Sequence, residues 1–285
     1  MTIERVLSTY LFVNRKLTAA LLGEAARAGV SAIELFCSRG HFDYRSADDA
    51  RELASWLAGN NLTLHSIHSP TTRDFHLTRE SGAPLSICDP ERLRRQDAVD
   101  EIKRALDLVE HVPFRYCVQH VAHTRDLPDE RRWDVAFSSL ENLSLFARHR
   151  GVTIALENTP GEMATPSNLK KFLDKTRLTS VKLCFDAGHA HLDGGVPESL
   201  EIVRDFVATT HIHDNHGERD EHLLPYEGTI DWGATLAALP PDAPIVLELK
   251  EPAVAVGSAD VQAFAETLRG IPRAFDKLEE ERSQA

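Results

Sequence analysis

Six segments of the chain end in side chains that can bind a divalent cation. LHSIHSP holds His65 and His68, and CVQHVAH holds His120 and His123. IALENTPG carries Glu157, and CFDAGHAHLDGG carries Asp186, His189 and His191. THIHDNHGERDEH gathers His211, His213, Asp214, His216, Asp220 and His222, and IVLELKEP carries Glu248. Each segment opens as a short apolar run and closes on imidazole or carboxylate. A carboxylate placed directly after such a run is costly to bury unless it meets a cation or a hydrogen-bond donor. Nitrogen and oxygen donors in this mixture suit Zn²⁺, Mn²⁺ or a similar ion. Cys37, Cys88, Cys117 and Cys184 lie far apart with no CxxC pair, so neither a thiolate zinc knuckle nor a disulfide framework is expected. Cys37 and Cys184 fall near strand ends but read as small buried apolar residues rather than nucleophiles.

The runs that carry these residues recur along the chain. Strands are expected at 6–12, 32–36, 62–67, 115–119, 152–156, 181–185, 207–212 and 245–249, and helices at 18–28, 47–59, 91–110, 130–150, 166–175, 197–204, 232–239 and 259–281. Runs such as VTIAL and PIVLEL lack polar alternation, which marks strands buried on both faces of a parallel sheet. Gly29 and Gly151 suit helix stops, and Thr18, Ser46 and Asp89 suit helix N-caps. Eight β-then-α units in 285 residues predict an α/β chain folded as one (β/α)8 TIM barrel over 1–285, with 277–285 as a polar tail. A doubly wound open sheet is the alternative. In a barrel, Glu157, Asp186, His211 and Glu248 converge on the mouth at the strand C-termini, and the two long connections, 69–90 (with His76) and 214–231, fall on that side too.

The motifs IHSP, LENTPG, FDAGHA, HIHDN, the GxxDxHLxxxEGxIDW stretch and LELK resemble those of the xylose isomerase-like TIM-barrel superfamily, which includes sugar isomerases and epimerases and endonuclease IV. The resemblance runs from the second strand to the eighth. In the epimerase-like members it implies one divalent ion held by Glu157, Asp186, His211 and Glu248. It makes Glu157 and Glu248 catalytic, moving protons on the carbon beside a carbonyl of a small polyhydroxylated substrate. His189, with His68 and Arg219, would bind substrate. Only one of His211 and His213 is expected to enter the site, and the HxxD spacing to Asp214 favours His211. The resemblance to endonuclease IV implies a set of nine metal ligands, all present by type: His68, His120, Glu157, Asp186, His189, His211, Asp220, His222 and Glu248. One to three ions are therefore expected, with Glu157 bridging two in the multi-zinc arrangement suited to phosphate-ester cleavage. TPGE after LEN, AHLDGG after the sixth strand, and SRGHFDYRS without a DNA-penetrating loop depart from the repair enzyme.

Composition limits the remaining classes. A formal charge of −12 argues against broad nucleic-acid binding, which needs clustered cations. Arg39, Arg73, Arg125, Arg219 and Lys250 near the mouth could hold a phosphate or carboxylate, and Trp232 is expected to pack a helix start. His65, His123, His191 and His216 read as loop or supporting residues. No phosphate-binding glycine motif and no GxSxG elbow is present. No apolar run is long enough to span a membrane and no secretory leader is apparent, which points to the cytoplasm. The expected partner is a sugar-like small molecule; self-association into a homo-oligomer is compatible with this reading.

Overall fold

Each apolar run becomes a strand, and in a computed structural model of the protein all eight pair in parallel. The structure describes residues 3–73, 83–251 and 258–284, without the side chains of 258–261; His76 lies outside them. The strands are β1 (Arg5–Ser8), β2 (Ala32–Phe36), β3 (Thr63–His68), β4 (Tyr116–His120), β5 (Thr153–Glu157), β6 (Val181–Asp186), β7 (Val207–His211) and β8 (Ile245–Leu247). The helices are α1 (Ala19–Arg27), α2 (Ala47–Gly59), α3 (Arg92–Leu106), α4 (Glu130–Arg148), α5 (Pro166–Thr176), α6 (Ala187–Leu192), α7 (Val196–Val203), α8 (Trp232–Ala238) and α9 (Ser258–Gln284). The ladder runs β7-β6-β5-β4-β3-β2-β1-β8. It closes where the Ile212 amide donates to Val246 O (2.8 Å) and the Glu248 amide to Ile212 O (3.3 Å). This is the (β/α)8 barrel.

Strand alternation sorts the side chains. Ile33, Leu35, Ile154, Leu156, Leu183, Phe185, Ile245 and Leu247 join the large core shared with the helices. The intervening residues form two small clusters of their own, Val6–Ala32–Val246 and Val118–Ala155–Cys184. Successive strand residues face opposite ways. Glu34 therefore shares the inward face with Ala32, His120 with Val118, Glu157 with Ala155, Asp186 with Cys184, and Glu248 with Val246. The barrel interior is apolar at its base and changes to carboxylate and imidazole at the strand C-termini.

Several local expectations need correction. The strand expected at 6–12 ends at Ser8, whose hydroxyl accepts from the Tyr10 amide, and the chain turns through a 3-10 segment, Thr9–Phe12. Thr18 and Ser46 cap α1 and α2 as expected, but Asp89 instead accepts from the Glu91 amide, and α3 has no side-chain cap. α6 was not expected: six residues are too few to show a helical period, and it starts because Asp186 Oδ1 accepts from the His189 amide at 2.6 Å. The expected helix at 259–281 extends to Gln284 as α9, so the polar stretch 277–284 is a helix end rather than a frayed tail. Leu278 is fully buried, and Arg282 donates to the carbonyls of Pro240, Pro241 and Ala243.

Candidate metal centre

Glu157 stands at the centre of the mouth, fully buried at the end of β5. Its Oε2 lies 3.2 Å from His68 Nε2 and 2.9 Å from His120 Nε2, and its Oε1 lies 3.0 Å from His211 Nδ1. Around His211 Nδ1 are also Asp186 Oδ2 at 3.8 Å and Glu248 Oε2 at 3.5 Å. Beyond Asp186, the loop after β7 brings Asp220 Oδ2 to 3.4 Å from His189 Nε2 and 3.2 Å from His222 Nε2. Among the described residues, three groups of donor atoms are close enough to share an ion: His68–His120–Glu157, Glu157–Asp186–His211–Glu248, and His189–His213–Asp220–His222. All nine ligand positions named from the sequence fall within them.

Hydrogen bonds at the far side of each ring bear on what these groups hold. Nδ1 of His68, His189 and His222 lies 2.8–2.9 Å from the carbonyls of Ser69, Asn158 and Glu248. A carbonyl only accepts, so each Nδ1 carries a proton and each Nε2 points at carboxylate either as a lone pair or as part of a charged ring. A lone pair facing an anion is repulsive unless a cation lies between them. This is the arrangement that orients histidine toward a metal. The donor set fits a divalent ion.

The buried charges shift one another accordingly. Burial alone would raise the Glu157 carboxyl, but the rings of His211 and His120 hold it well below the usual range. Glu248 moves the opposite way: burial and then the Glu157 charge outweigh the pull of His211 and His222. Burial would lower His189, but Asp186, Asp220 and Glu157 raise it to about 10. His211 is likewise pushed well above its ordinary value against burial by Cys184, Glu248, Glu34 and Glu157. His120 and His213 go down, because burial dominates there.

Two neighbours of the site were not found from the sequence. Glu34 is fully buried on β2, with Oε1 3.0 Å from His211 Nε2 and Oε2 accepting from Ser66 Oγ at 2.7 Å. A glutamate inside the apolar run AIELF was the available signal. Tyr10 sits in the 3-10 turn after β1, its ring 5.2 Å from that of His222, and nothing in the local sequence marks it. The expectation about HIH is also corrected. Both rings enter: His213 Nε2 lies 3.1 Å from Asp186 Oδ1. Residues two apart on a strand share a face, so His211 and His213 cannot be separated by alternation. Asp214, the D of HxxD, is not among the metal donors. Its carboxylate accepts from the amides of Asn215, Tyr226 and Ile230 and from the Trp232 indole, tying up the 214–231 loop. Gly228 must be glycine here, since a Cβ would overlap Asn215 O and Asp214 Oδ1.

The other named residues divide clearly. A cavity of about 800 Å³ opens over the site, lined by Tyr10, Val13, Phe36, Arg125 and Lys250 together with the donors His68, His120, Glu157, His189, Asp220, His222 and Glu248. Arg219 is exposed on the loop and does not line it. Arg39 and Arg73 pair with Asp43 and Asp97. His65 lies lower in the barrel beside Thr209, His191 beside Thr229, and His216 on the surface with Glu221, whereas His123 lines the cavity. All four cysteines are free and buried, and burial pushes their thiols up, against a nucleophilic role.

Comparison with known proteins agrees with this architecture. The model for the xylose isomerase-like TIM barrel matches residues 22–272. The chain belongs to that family. It is 32% identical over 201 residues to the uncharacterized protein y4fM of Sinorhizobium fredii, spanning 64% of each chain, and 28% identical over 227 residues to the uncharacterized protein MJ1614 of Methanocaldococcus jannaschii, spanning 79% of this chain and 82% of that one. Among solved structures, a D-tagatose 3-epimerase-like protein superposes with a TM-score of 0.73 at 21% identity over 96% of this chain and 98% of that chain. The IOLI protein with a bound zinc atom gives 0.74 at 16% identity over 98% of both chains. At these identities the likeness is one of fold.

Proposed function

We propose that the protein is a divalent-metal-dependent enzyme of sugar isomerase or epimerase type, acting on a small polyhydroxylated carbonyl compound. The observation that carries this reading is the central donor group, where Glu157 at the end of β5 and Glu248 just after β8 approach His211 Nδ1, at 3.0 and 3.5 Å, beneath an open cavity. Glu157, Asp186, His211 and Glu248 would hold the ion, which when bound would polarise the substrate carbonyl and make the neighbouring C–H more acidic. The two carboxylates are the groups able to take and return that proton. Phe36, Tyr10 and Val13 would exclude water from one side, and Arg125 and Lys250 at the rim suit an anionic substituent. His68 and His189 face the same cavity and could bind substrate hydroxyls when the outer groups hold no ion. The L-ribulose 3-epimerase that shares the fold, at a TM-score of 0.74 and 15% identity, acts on a substrate of the class proposed.

A second reading has its own support. His68 and His120 add a donor group that shares Glu157 with the central one, and His189, Asp220 and His222 supply a third. Clustered cations suit phosphate-ester hydrolysis, by activating water and neutralising the leaving oxygen. Both readings are tested by one set of proteins: wild type, Glu157→Gln and Glu248→Gln, loaded with Zn²⁺ or Mn²⁺. The isomerase reading expects wild type to exchange a substrate C–H proton with solvent deuterium across a panel of ketoses and their phosphates, and each variant to lose at least 100-fold of that rate. Unchanged exchange in either variant overturns the proton-transfer roles. Cleavage of a small phosphodiester without any exchange would decide for the second reading.

A further inference from the structure

The cavity over the mouth has two unlike walls. Tyr10 and Val13 after β1 and Phe36 at the end of β2 make one of them aromatic and apolar, with Lys250 beyond β8 at its edge. The opposite wall is built by the connections after β3, β4 and β5. It offers hydroxyls and one guanidinium, from Thr71, Thr72, Thr124, Thr159 and Arg125. In the ladder β4 and β8 are four strands apart in either direction, so Arg125 and Lys250 stand across the mouth from each other. Resting on the isomerase or epimerase reading above, we propose that the hydroxyl wall binds a carboxylate at the far end of the substrate, with Arg125 as the specificity-determining residue. The substrate class is then a polyhydroxylated keto acid, rather than a neutral sugar or a sugar phosphate.

The turn after β4 is built to present this cation. The His123 amide donates to Asp126 Oδ2 at 3.0 Å, and the Asp126 amide donates back to His123 O at 2.9 Å. Asp126 Oδ1 lies 2.9 Å from Arg132 Nη1 on α4, which neutralises it. The carboxylate next to Arg125 in the chain is thereby occupied, and Arg125 is exposed at the rim with no ion pair among the described residues. The connection after β5 presses on the same turn. Gly161 has φ at 124°, and a Cβ there would lie 2.8 Å from Thr124 O. That contact joins Thr159 and the 123–126 turn into one wall. Thr159 is nine-tenths buried, yet its hydroxyl has no hydrogen-bond partner among the described residues, and neither has the buried Nε2 of His123. Leaving such atoms unpaired is costly, and a carboxylate supplies the acceptors that this wall lacks. Charge selects among anions. A phosphate monoester carries about −1.5 to −2 at neutral pH, and Glu157, Asp220 and Glu248 already line the same cavity. The nearby start of α4 offers a phosphate nothing, since Asp129 caps it and Glu130 stands in its first turn. One guanidinium matches one negative charge, and its planar fork pairs with a carboxylate through two parallel hydrogen bonds. Lys250, beside Tyr10, Val13 and Phe36, edges a wall suited instead to the C–H faces of the sugar.

The test follows solvent-deuterium exchange by the full-length protein, loaded with Zn²⁺ or Mn²⁺, on matched trios of compounds: ketohexoses, their 6-phosphates and their 6-carboxylates. Wild type should favour the carboxylate over both other members at least 10-fold in kcat/KM, through KM. Arg125→Gln should cut that preference about 10- to 100-fold, the usual worth of a hydrogen bond to a charged group. Arg125→Lys should restore only part of it, because an ammonium keeps the charge without the fork. Arg131→Gln removes the same charge from the first turn of α4, where Arg131 donates to Pro90 O outside the cavity, and should keep the preference. If no compound exchanges at all, the isomerase reading falls, and calorimetric binding of the same trios to wild type and Arg125→Gln decides on the subsite. The proposal is overturned if the phosphate or the parent ketose is preferred, if Arg125→Gln keeps the preference for the carboxylate, or if Arg131→Gln erodes it equally.

Discussion

Glu34 stands directly behind one of the rings of the central donor group without being one of its donors. Its carboxylate receives the Nε2 side of His211, leaving Nδ1 toward Glu157, Asp186 and Glu248. Burial alone would raise its pKa, but the charge and hydrogen bond of His211 outweigh it and bring it to about 2, so Glu34 stays an anion. Glu34→Gln keeps the shape and removes the charge. It should weaken binding at the central group roughly 10- to 100-fold, the usual consequence of losing a supporting carboxylate behind a ligating histidine. Competition against a metal-sensitive dye would measure this, and unchanged affinity would remove Glu34 from that role. At this scale the sequence is informative where a polar residue interrupts an apolar run or ends one, as Glu157 and Glu248 do. It says little about Tyr10, which reaches the site only because Ser8 turns the chain.

At the scale of elements, the strand and helix positions were largely legible, because β2 and α2 follow directly from the apolar runs and caps around them. What could not be read are features fixed by contact between distant segments. α3 is an example: its Glu101, mid-helix and nearly fully buried, receives the Tyr44 hydroxyl, Arg45 and, one turn on, Arg104. Those bonds fasten the loop after β2, and with it the rim of the mouth, to the outer ring. Glu101→Gln should lower stability by about 2 kcal/mol, the usual value for hydrogen bonds to a charged group. Burial would raise the Glu101 pKa, yet Arg45, Tyr44 and Arg104 together lower it below 4.5. The stabilisation is therefore complete above about pH 4.5 and lost as the pH falls through the depressed folded value. Denaturant melts at pH 7 and pH 3 should show the gap between wild type and Glu101→Gln narrowing at the lower pH; an equal gap at both would place the effect in packing instead.

The whole molecule carries a formal charge of −12, and part of that excess is concentrated at one end of the barrel. Glu34, Glu157, Asp186 and Glu248 are all at least nine-tenths buried there, interleaved with six histidines. Protons on the rings can neutralise such a group, but divalent ions bound between the rings and the carboxylates do so without charging each imidazole. The folded chain alone assembles these donors, drawn from strands β3 to β7, helix α6, the loop after β7 and the residue just after β8. Ions should therefore bind the native state and leave the unfolded chain almost untouched. One site at a hundredfold excess over its dissociation constant adds about 2.7 kcal/mol. For a chain somewhat longer than those surveyed, at 2–4 °C per kcal/mol, chelation should lower the melting temperature by roughly 5–10 °C for each site emptied. Returning Zn²⁺ or Mn²⁺ should restore it. Asp186→Asn, which removes a charge from the central group while leaving β6 intact, should start lower and respond less to added ion. A melting temperature that ignores both chelator and metal would mean that the carboxylates are balanced by protonated histidines alone, and that the mouth of this barrel holds no ion in solution.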